Sequence, residues 1–298
     1  EDVTEIVFRE IVAQTARPDV FMTEFTSADG LNSKGRENVI KKFNYTKNQH
    51  PIVAQIWGNN PKTLFLAAKT AKELKFDGID INMGCPDKKI VRNGSCAGLI
   101  GNYKLAGEVI AAVKDGAGKL PVSVKTRLGI GTVITQEWVS FLLEQELCAI
   151  TIHARTAKQK SKVPADWQEI GKAVKLKKQI SPKTIIIGNG DILSSKEAQE
   201  MYKVYEVDGV MIGRGVFANP WVFEKTTKPI EHTQEEYVAL LVKHLNLFLK
   251  TWGDTKNFEI MKKFFKMYLK DFHGASQLRY KLMETKSKEE VLQILSEL

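Results

Sequence analysis

A regular alternation of short β-rich runs with segments of helical periodicity constrains the fold of this chain more than any other feature. The segments between the runs carry apolar residues at helical spacing, as at Leu66, Ala67 and Ala71. Strands that alternate with helices form βα units around a parallel sheet. Seven runs predict strands: Val20–Phe25, Ile52–Trp57, Gly78–Met83, Pro121–Arg127, Ala149–Arg155, Thr184–Gly188 and Gly209–Ile212.

The runs favour a barrel over an open sheet. Those at Ala149–Ile152 and Thr184–Ile187 are apolar without alternation, which is typical of strands covered on both faces. We therefore predict an α/β fold, a (β/α)8 TIM barrel. Because only seven strands are found and the chain opens with a helix-like segment, we expect the first strand to lie upstream of Glu1. An open doubly wound sheet is the alternative, but no GxGxxG follows a first strand.

The last part of the chain has a different pattern. From residue 229 onward the strand signals stop, and apolar residues fall at helical spacing, as at Leu240, Leu241 and Leu245. Aromatic residues that share this spacing, such as Phe248 and Phe264, are typical of a helical core. We predict two domains, a barrel over residues 1–228 and a helical domain over residues 229–298.

Composition and cysteine usage limit the function classes. No apolar run in the 298 residues reaches the roughly 18 to 20 residues that cross a bilayer, so we expect no membrane span. Cys85, Cys96 and Cys148 form no CxxC pair and no metal-like cluster with the five histidines, so no metal is expected. An odd number of cysteines suits a reducing compartment, here the cytoplasm. The formal net charge of +9 favours a polyanionic partner.

Polar residues end nearly every predicted strand, where barrel enzymes place their reacting groups. After one of these strands the chain reads INMGCPDKKIVRNGSCAGLI, over residues 81–100. This segment resembles the transfer-RNA dihydrouridine synthase family, whose members carry Gly-Cys-Pro at this place. Five further stretches match the family in order: VAQIWG at 53–58, VKTRLG at 124–129, IHART at 152–156, GNGDI at 188–192 and MIGRG at 211–215.

Cys85 is the candidate catalytic residue. It lies between Gly84 and Pro86 on a loop that follows a strand, so its thiol can face the barrel mouth. With an ordinary thiol pKa of about 8.5 it is mostly protonated at neutral pH and can deliver a proton. The resemblance implies that it does so. Cys96 and Cys148 are interpreted as packing residues.

Glycine-rich turns follow the last two predicted strands, where barrels bind phosphate through backbone N–H groups. Lys125 ends an otherwise apolar strand, and an inward lysine is costly unless it meets an anion. The resemblance implies FMN as the cofactor, bound by Gln55, Lys125, His153, Asn189, Gly190, Asp191, Gly213 and Arg214. Asn82, Arg127 and Arg155 are predicted to contact the substrate.

The resemblance implies that the protein reduces the C5=C6 bond of uridines in tRNA, and we expect it to be a monomer. FMN transfers hydride to C6, Cys85 protonates C5, and NADPH re-reduces the flavin. Residues 1–228 then form the FMN-binding catalytic domain and residues 229–298 a tRNA-binding domain. The lysines that are dense over 158–183, with Lys88, Lys89 and Arg92, predict phosphate contacts. Two alternatives stay open: an FMN-dependent reductase of a small pyrimidine or enone, and a non-catalytic RNA-binding protein.

Overall fold

The structure, a computed structural model, describes residues 3–225 and 230–297. Its contacts divide the chain into two units, one of residues 19–215 and one that joins residues 1–18 to residues 216–298. The boundary predicted between residues 228 and 229 lies outside the described residues. The first helix belongs with the C-terminal helices and not with the barrel as predicted. The reason is that its apolar face packs there, with the Phe8 ring stacked on Phe264 at a centroid distance of 5.4 Å.

The secondary structure of the described residues is as follows. The strands are β1 Phe21–Met22, β2 Thr26–Ser27, β3 Ile52–Trp57, β4 Gly78–Met83, β5 Val122–Arg127, β6 Ala149–His153, β7 Ile185–Asn189 and β8 Gly209–Met211. The α-helices are α1 Ile6–Thr15, α2 Ala28–Leu31, α3 Arg36–Val39, α4 Pro61–Glu73, α5 Lys88–Arg92, α6 Tyr103–Ala117, α7 Thr135–Leu143, α8 Trp167–Ile180, α9 Ser195–Tyr205, α10 Gly215–Ala218, α11 Gln234–Trp252, α12 Phe265–Tyr268, α13 Ala275–Glu284 and α14 Lys288–Leu295. The 3-10 helices are Ile40–Phe43, Lys47–Gln49, Cys96–Leu99, Gly253–Thr255 and Phe258–Phe264.

The strands form one parallel sheet whose order follows the chain, β1-β3-β4-β5-β6-β7-β8, with β2 also paired to β3. The order of the described strands contains no reversal of the kind that defines a doubly wound sheet, so the predicted barrel class is confirmed. Six predicted runs coincide with observed strands to within two residues. The seventh, Val20–Phe25, contains only β1, because its pairing ends at Thr23, whose N–H donates to the Val53 carbonyl at 3.0 Å.

The central strands β4 and β6 are mainly apolar because they are buried on both faces of the sheet. All six residues of β4 are buried, and Ile79, Ile81 and Ile150 are fully so. Burying each such side chain contributes roughly 1.5–3 kcal/mol, which favours strands that are apolar on both sides. The helices between the strands begin at capping residues. Asn60, for example, accepts from the Lys62 N–H at the start of α4.

The strand registers bring polar residues side by side on one face of the sheet. Gln55 on β3 is the register partner of Asp80 on β4, which is the partner of Ser123 on β5. A second row nearer the carboxyl edge consists of Arg127, His153 and Asn189 on β5, β6 and β7. Because side chains alternate between the two faces of a strand, register partners point to the same side. The carboxyl edge of the sheet is therefore where the polar groups collect.

The helical unit has its own core, built on α1 and α11. Helix α11 begins with a capping box in which Thr233 and Glu236 satisfy each other's backbone N–H groups. His244 on the same helix is fully buried, and its Nδ1 lies 2.8 Å from the Tyr268 hydroxyl. No helix within residues 3–225 and 230–297 has both the length and the apolar character needed to cross a membrane.

Candidate active site

Asp80 lies fully buried in the middle of β4, and two neighbours bind its carboxylate. The Ser123 hydroxyl donates to Oδ1 at 2.7 Å, and the side-chain amide of Gln55 donates to Oδ2 at 2.8 Å. Burial raises the pKa of Asp80 to about 6, although these hydrogen bonds and the charge of Lys125 act in the opposite direction. Asp80 is thus an acceptor shared by β3 and β5.

Asn82, further along β4, connects these bonds to the cysteine loop. Its Nδ2 donates to Gln55 Oε1 at 3.0 Å. Its Oδ1 accepts from the backbone N–H groups of Gly84 at 3.0 Å and Cys85 at 2.9 Å. A side-chain oxygen that binds two successive backbone donors fixes the turn that follows the strand. Asn82 therefore holds the backbone of Cys85 in place.

The half-buried side chain of Cys85 lies next to the fully buried side chain of Cys96. The Ala97 N–H also donates to the Cys85 carbonyl at 3.3 Å, which holds the two segments together. The Cys96 hydrogen bond lowers the pKa of Cys85 to about 6, and the same contact, together with burial, raises the pKa of Cys96. Two expectations were therefore wrong: Cys85 lacks an ordinary thiol pKa, and Cys96 does more than pack. After α5 the chain reverses direction, which places Cys96 next to Cys85.

Lys125 on β5 provides a half-buried positive charge. Its Nζ donates to Asn189 Oδ1 at 3.1 Å, and Asn189 is itself held because its Nδ2 donates to the Met211 carbonyl at 2.9 Å. Burial, assisted by the charge of Arg127, lowers the pKa of Lys125 to about 8, so the amine stays mainly protonated at neutral pH. A half-buried cation bonded to a neutral amide gains free energy from an anionic ligand.

His153, Arg155 and Asp191 form a second cluster beside Lys125. Buried Arg155 forms an ion pair with Asp191 and lowers the pKa of that carboxyl, and its Nη1 lies 3.1 Å from His153 Nε2. A guanidinium only donates, so His153 accepts at Nε2 and carries its hydrogen on Nδ1. Burial, followed by the charges of Arg127 and Lys125, lowers the pKa of His153 to about 3. The imidazole is therefore neutral.

Arg127 is buried and holds two loops together. Its Nε donates to the Gly84 carbonyl at 2.7 Å, on the cysteine loop. Its Nη1 donates to the carbonyls of Thr156 and Lys160, both at 3.2 Å, on the lysine-rich loop after β6. Like Arg155, it is engaged mainly with the protein itself. Direct contact of either arginine with a substrate stays a prediction.

The two glycine-rich turns lie after β7 and β8. Gly190 has a φ of 138°, a conformation that favours glycine, and its carbonyl accepts from Trp167 Nε1 at 3.0 Å. At Gly213 no atom of the described residues lies within 4 Å of the position that a Cβ would take. Arg214 is exposed, and its Nη2 lies 3.5 Å from Asp191 Oδ1. The end of β8 thus has open space next to a positive charge on a long, exposed side chain.

All the predicted site residues lie at this edge of the sheet, on or just after a strand: Gln55, Asn82, Cys85, Lys125, Arg127, His153, Arg155, Asn189, Gly190, Asp191, Gly213 and Arg214. The prediction gave no role to Asp80 or Ser123 and interpreted Cys96 as a packing residue. A charged residue inside an apolar strand was a signal for Asp80, whereas Ser123 and Cys96 carry no comparable signal. In the described part of the chain, no three His, Cys, Asp or Glu side chains group so as to hold a metal ion.

The fold and the site together define a class, an α/β barrel protein with a thiol and a half-buried lysine at the carboxyl edge of its sheet. Morphinone reductase, solved in complex with tetrahydroNAD, resembles this chain with a TM-score of 0.50 and 12% sequence identity, over 74% of this chain and 81% of that one. At this identity the likeness shows the fold alone.

The chain belongs to the dihydrouridine synthase family, whose sequence profile matches residues 1–298. It is 43% identical over 300 residues to a "probable tRNA-dihydrouridine synthase" of Staphylococcus aureus (strain Mu50), covering 100% of this chain and 90% of the relative. It is 42% identical over 300 residues to "probable tRNA-dihydrouridine synthase 2" of Bacillus subtilis (strain 168), covering 100% of this chain and 91% of the relative. The family predicted from the motifs is confirmed.

Proposed function

We propose that this protein is a tRNA-dihydrouridine synthase, an FMN-dependent oxidoreductase that reduces the C5=C6 bond of uridines in tRNA. The observation that carries the proposal is the position of Cys85, whose loop is bonded to Asn82 and whose free thiol lies at the same edge of the sheet as the half-buried charge of Lys125. Membership of the family supports the same reaction. We also propose that the protein acts as a monomer.

The residues at the carboxyl edge fit FMN. Open space at Gly213 and the exposed guanidinium of Arg214 suit a phosphate, which glycine-rich turns bind through backbone N–H groups. Lys125 supplies positive charge for the anionic edge of a reduced flavin ring, and neutral His153 has a donor at Nδ1. The full proposed set is Gln55, Lys125, His153, Asn189, Gly190, Asp191, Gly213 and Arg214.

Bound FMN, reduced by NADPH, supplies the hydride that is added to C6 of the uracil. This addition leaves an enolate whose C5 takes up a proton, and Cys85 is the donor. Its sulfur is left as a thiolate, which the Cys96 hydrogen bond and the charge of Arg127 stabilise. The same contacts lower the fraction of Cys85 that is protonated at neutral pH. They therefore favour the thiolate that the step produces, but they also reduce the amount of thiol that can donate.

Asn82 is proposed to orient the uracil. One hydrogen of its Nδ2 goes to Gln55, which leaves the second free to bind a carbonyl oxygen of the base. The free thiols of Cys85 and Cys96 need a reducing environment, and the proposal therefore assigns the enzyme to the cytoplasm.

A uridine inside folded RNA must leave its stack to reach this edge, at a cost of a few kcal/mol. Phosphate contacts near the cysteine can offset this cost. The exposed side chains of Lys158, Lys160 and Lys162 project from the loop that Arg127 ties to the cysteine loop. We therefore propose that this loop binds the RNA backbone next to the reacting base.

The test is dihydrouridine formation on unmodified tRNA with FMN and NADPH. Cys85→Ala should lower the rate by roughly 10²-fold or more because the proton donor is removed. Cys148→Ala, which removes a half-buried thiol just before β6, is the matched control and should retain activity. Oxidation of NADPH without any RNA product would favour the reductase of a small pyrimidine or enone. Absence of flavin binding would leave only the RNA-binding protein.

A further inference from the structure

Asp80 is the charged group of the site that lies deepest in the sheet, and the reaction described above does not use it. Its side chain is fully buried between Gln55 and Ser123. An ionised carboxylate can only accept hydrogen bonds. Both neighbours must therefore donate to it, and this requirement fixes which way the Gln55 amide is turned.

The direction set by Asp80 continues through a second amide. Because the nitrogen of Gln55 faces Asp80, its oxygen faces Asn82 and accepts from Nδ2 at 3.0 Å. The side-chain nitrogen of Asn82 therefore points to Gln55, and its side-chain oxygen points to the cysteine loop. There it accepts from the N–H groups of Gly84 and Cys85.

The backbone of the cysteine loop, at the other end of this series of hydrogen bonds, requires the same orientation of both amides. Backbone N–H groups only donate, so Asn82 must present its oxygen to them, just as Gln55 must present its nitrogen to Asp80. Turning either amide around would place two donors or two acceptors face to face in a buried site, which costs about 1–3 kcal/mol for each unsatisfied group. A single arrangement therefore satisfies every member.

We propose that Asp80 is a positioning residue whose carboxylate orients the amides of Gln55 and Asn82 and thereby holds the backbone of Cys85 where its thiol can protonate the base. This role rests on the proposed function only in naming the base as the proton acceptor. The arrangement of the loop itself can be measured without any reaction.

Two substitutions at Asp80 separate orientation from charge. Asp80→Ala leaves the Gln55 nitrogen with only the weak acceptor Met22 Sδ, at 3.0 Å, so the amide is held less firmly and the hold on the cysteine loop weakens. Asp80→Asn removes the charge but can keep an oxygen toward Gln55, because its own nitrogen can donate to the Ser123 hydroxyl, which also accepts. Asp80→Ala should therefore lose the positioning of the cysteine loop, and Asp80→Asn should keep it.

Ser123→Ala is the matched control. It removes a hydrogen bond from the same carboxylate, but from the oxygen that does not face Gln55. The bonds from Asp80 through Gln55 to Asn82 stay in place. The control therefore loses a buried hydrogen bond, as Asp80→Ala does, but the orientation of the two amides does not change.

The experiment is hydrogen exchange at the amides of Gly84 and Cys85, followed by mass spectrometry on the full-length protein without tRNA. Exchange should become roughly 10-fold faster in Asp80→Ala, as expected for the removal of about one hydrogen bond, and should stay near wild type in Asp80→Asn and Ser123→Ala. The rate at which iodoacetamide alkylates Cys85, relative to Cys148 in the same sample, should change in Asp80→Ala alone. In turnover the same variant should have a lower kcat with an unchanged KM for tRNA.

Equal exchange in wild type and Asp80→Ala would overturn the proposal, and so would an equal increase in Ser123→Ala. Should Asp80→Ala fail to fold, Gln55→Met breaks the same path one step later with an apolar side chain of similar length. It should expose the Cys85 amide although Asp80 is intact, and unchanged exchange there would also overturn the proposal. Failure of wild type to reduce uridine would count against the proposed function and leave these exchange results unaffected.

Discussion

At the residue scale, the proposed proton donor Cys85 lies next to a second thiol, that of Cys96, which follows α5 in the chain. Cys96 hydrogen-bonds Cys85 and lowers its pKa to about 6. A proton donor is active only in its protonated form. As pH rises, the protonated form of Cys85 should therefore be lost at a lower pH than for an isolated thiol.

We expect uridine reduction in a single turnover to be fastest at or below about pH 6 and to fall as pH rises through the pKa of Cys85. Cys96→Ala removes the hydrogen bond that lowers this pKa, so the falling limb should move toward the ordinary thiol value of about 8.5. Alkylation of Cys85 by iodoacetamide, measured without flavin or tRNA, should rise with pH at the same midpoint.

The control for this prediction is Cys148→Ala, which leaves the paired thiols unchanged and should leave both midpoints in place. If Cys96→Ala and wild type have the same midpoint in alkylation and in turnover, the hydrogen bond between the thiols does not govern the protonation of Cys85.

At the element scale, β7 approaches α8 so closely that only glycine fits at one point of contact. A Cβ added at Gly188 would lie 2.3 Å from Trp167 Cζ3 and 2.5 Å from Cη2. The indole of Trp167 is fixed on its other side because Nε1 donates to the Gly190 carbonyl. The ring therefore connects the strand to the turn proposed to bind FMN.

Gly188→Ala should destabilise the protein by about 1–3 kcal/mol, since the added methyl group must displace the indole. Flavin affinity should fall as well, because the Gly190 turn loses its partner. Gly209→Ala on the neighbouring strand is the control, as its Cβ would meet Ile187 Cγ1 at an ordinary 3.7 Å. Chemical denaturation and flavin titration measure both effects, and equal stability of the two variants would refute the packing argument.

Helix α11 contains a histidine whose burial makes stability depend on pH. His244 Nδ1 is bonded to the Tyr268 hydroxyl, and its Nε2 has no hydrogen-bond partner among the described residues. Burial lowers the pKa of His244 to about 3 in the folded state, well below its ordinary value of about 6.5. Between these two pH values the unfolded chain binds a proton that the folded chain does not.

The free energy of unfolding should therefore fall as pH decreases from about 6.5 toward 3, by up to about 1.4 kcal/mol per pH unit for one such histidine. His153 has a similarly lowered pKa and adds to the slope. His244→Leu made together with Tyr268→Phe, which avoids an unsatisfied hydroxyl, should be less sensitive to acid than Tyr268→Phe alone. Urea denaturation at a series of pH values measures the free energy of unfolding of both variants. The same dependence on pH in both would contradict the prediction.

At the scale of the whole molecule, exposed lysines lie at both edges of the sheet. Lys158, Lys160 and Lys162 project from the loop braced by Arg127 at the carboxyl edge of the sheet. Other exposed lysines lie just before strands at the opposite edge: Lys75, Lys119 and Lys183. Both sets carry the same charge and so the same non-specific attraction for RNA.

Replacing Lys158, Lys160 and Lys162 with alanine should weaken tRNA binding and reduce the dependence of log K on log salt by about 2 to 3, roughly one unit for each phosphate that is no longer neutralised. The same triple replacement at Lys75, Lys119 and Lys183 should change the slope far less. Salt titrations of tRNA binding measure both variants. Equal changes would mean that the loop contributes only bulk charge.

Much of the fold could be predicted from the sequence because its signals are local. Six of the seven predicted strands have the expected position, since burial on both faces requires unbroken apolar runs. The short pairing at β1 and the association of α1 with the C-terminal helices could not be predicted, because both depend on a distant partner. An amphipathic helix shows which face it buries but not against which element.

Alone, the sequence determined the sheet, the family and the strand ends that carry polar residues, because periodicity and short motifs are properties of neighbouring residues. Only the tertiary structure decided that Cys96 meets Cys85, that Asp80 orients two amides, and that Arg127 braces loops. Hydrogen bonds and charge interactions depend on distances of a few ångströms and on burial. Strand register and loop return set those distances between residues far apart in the chain.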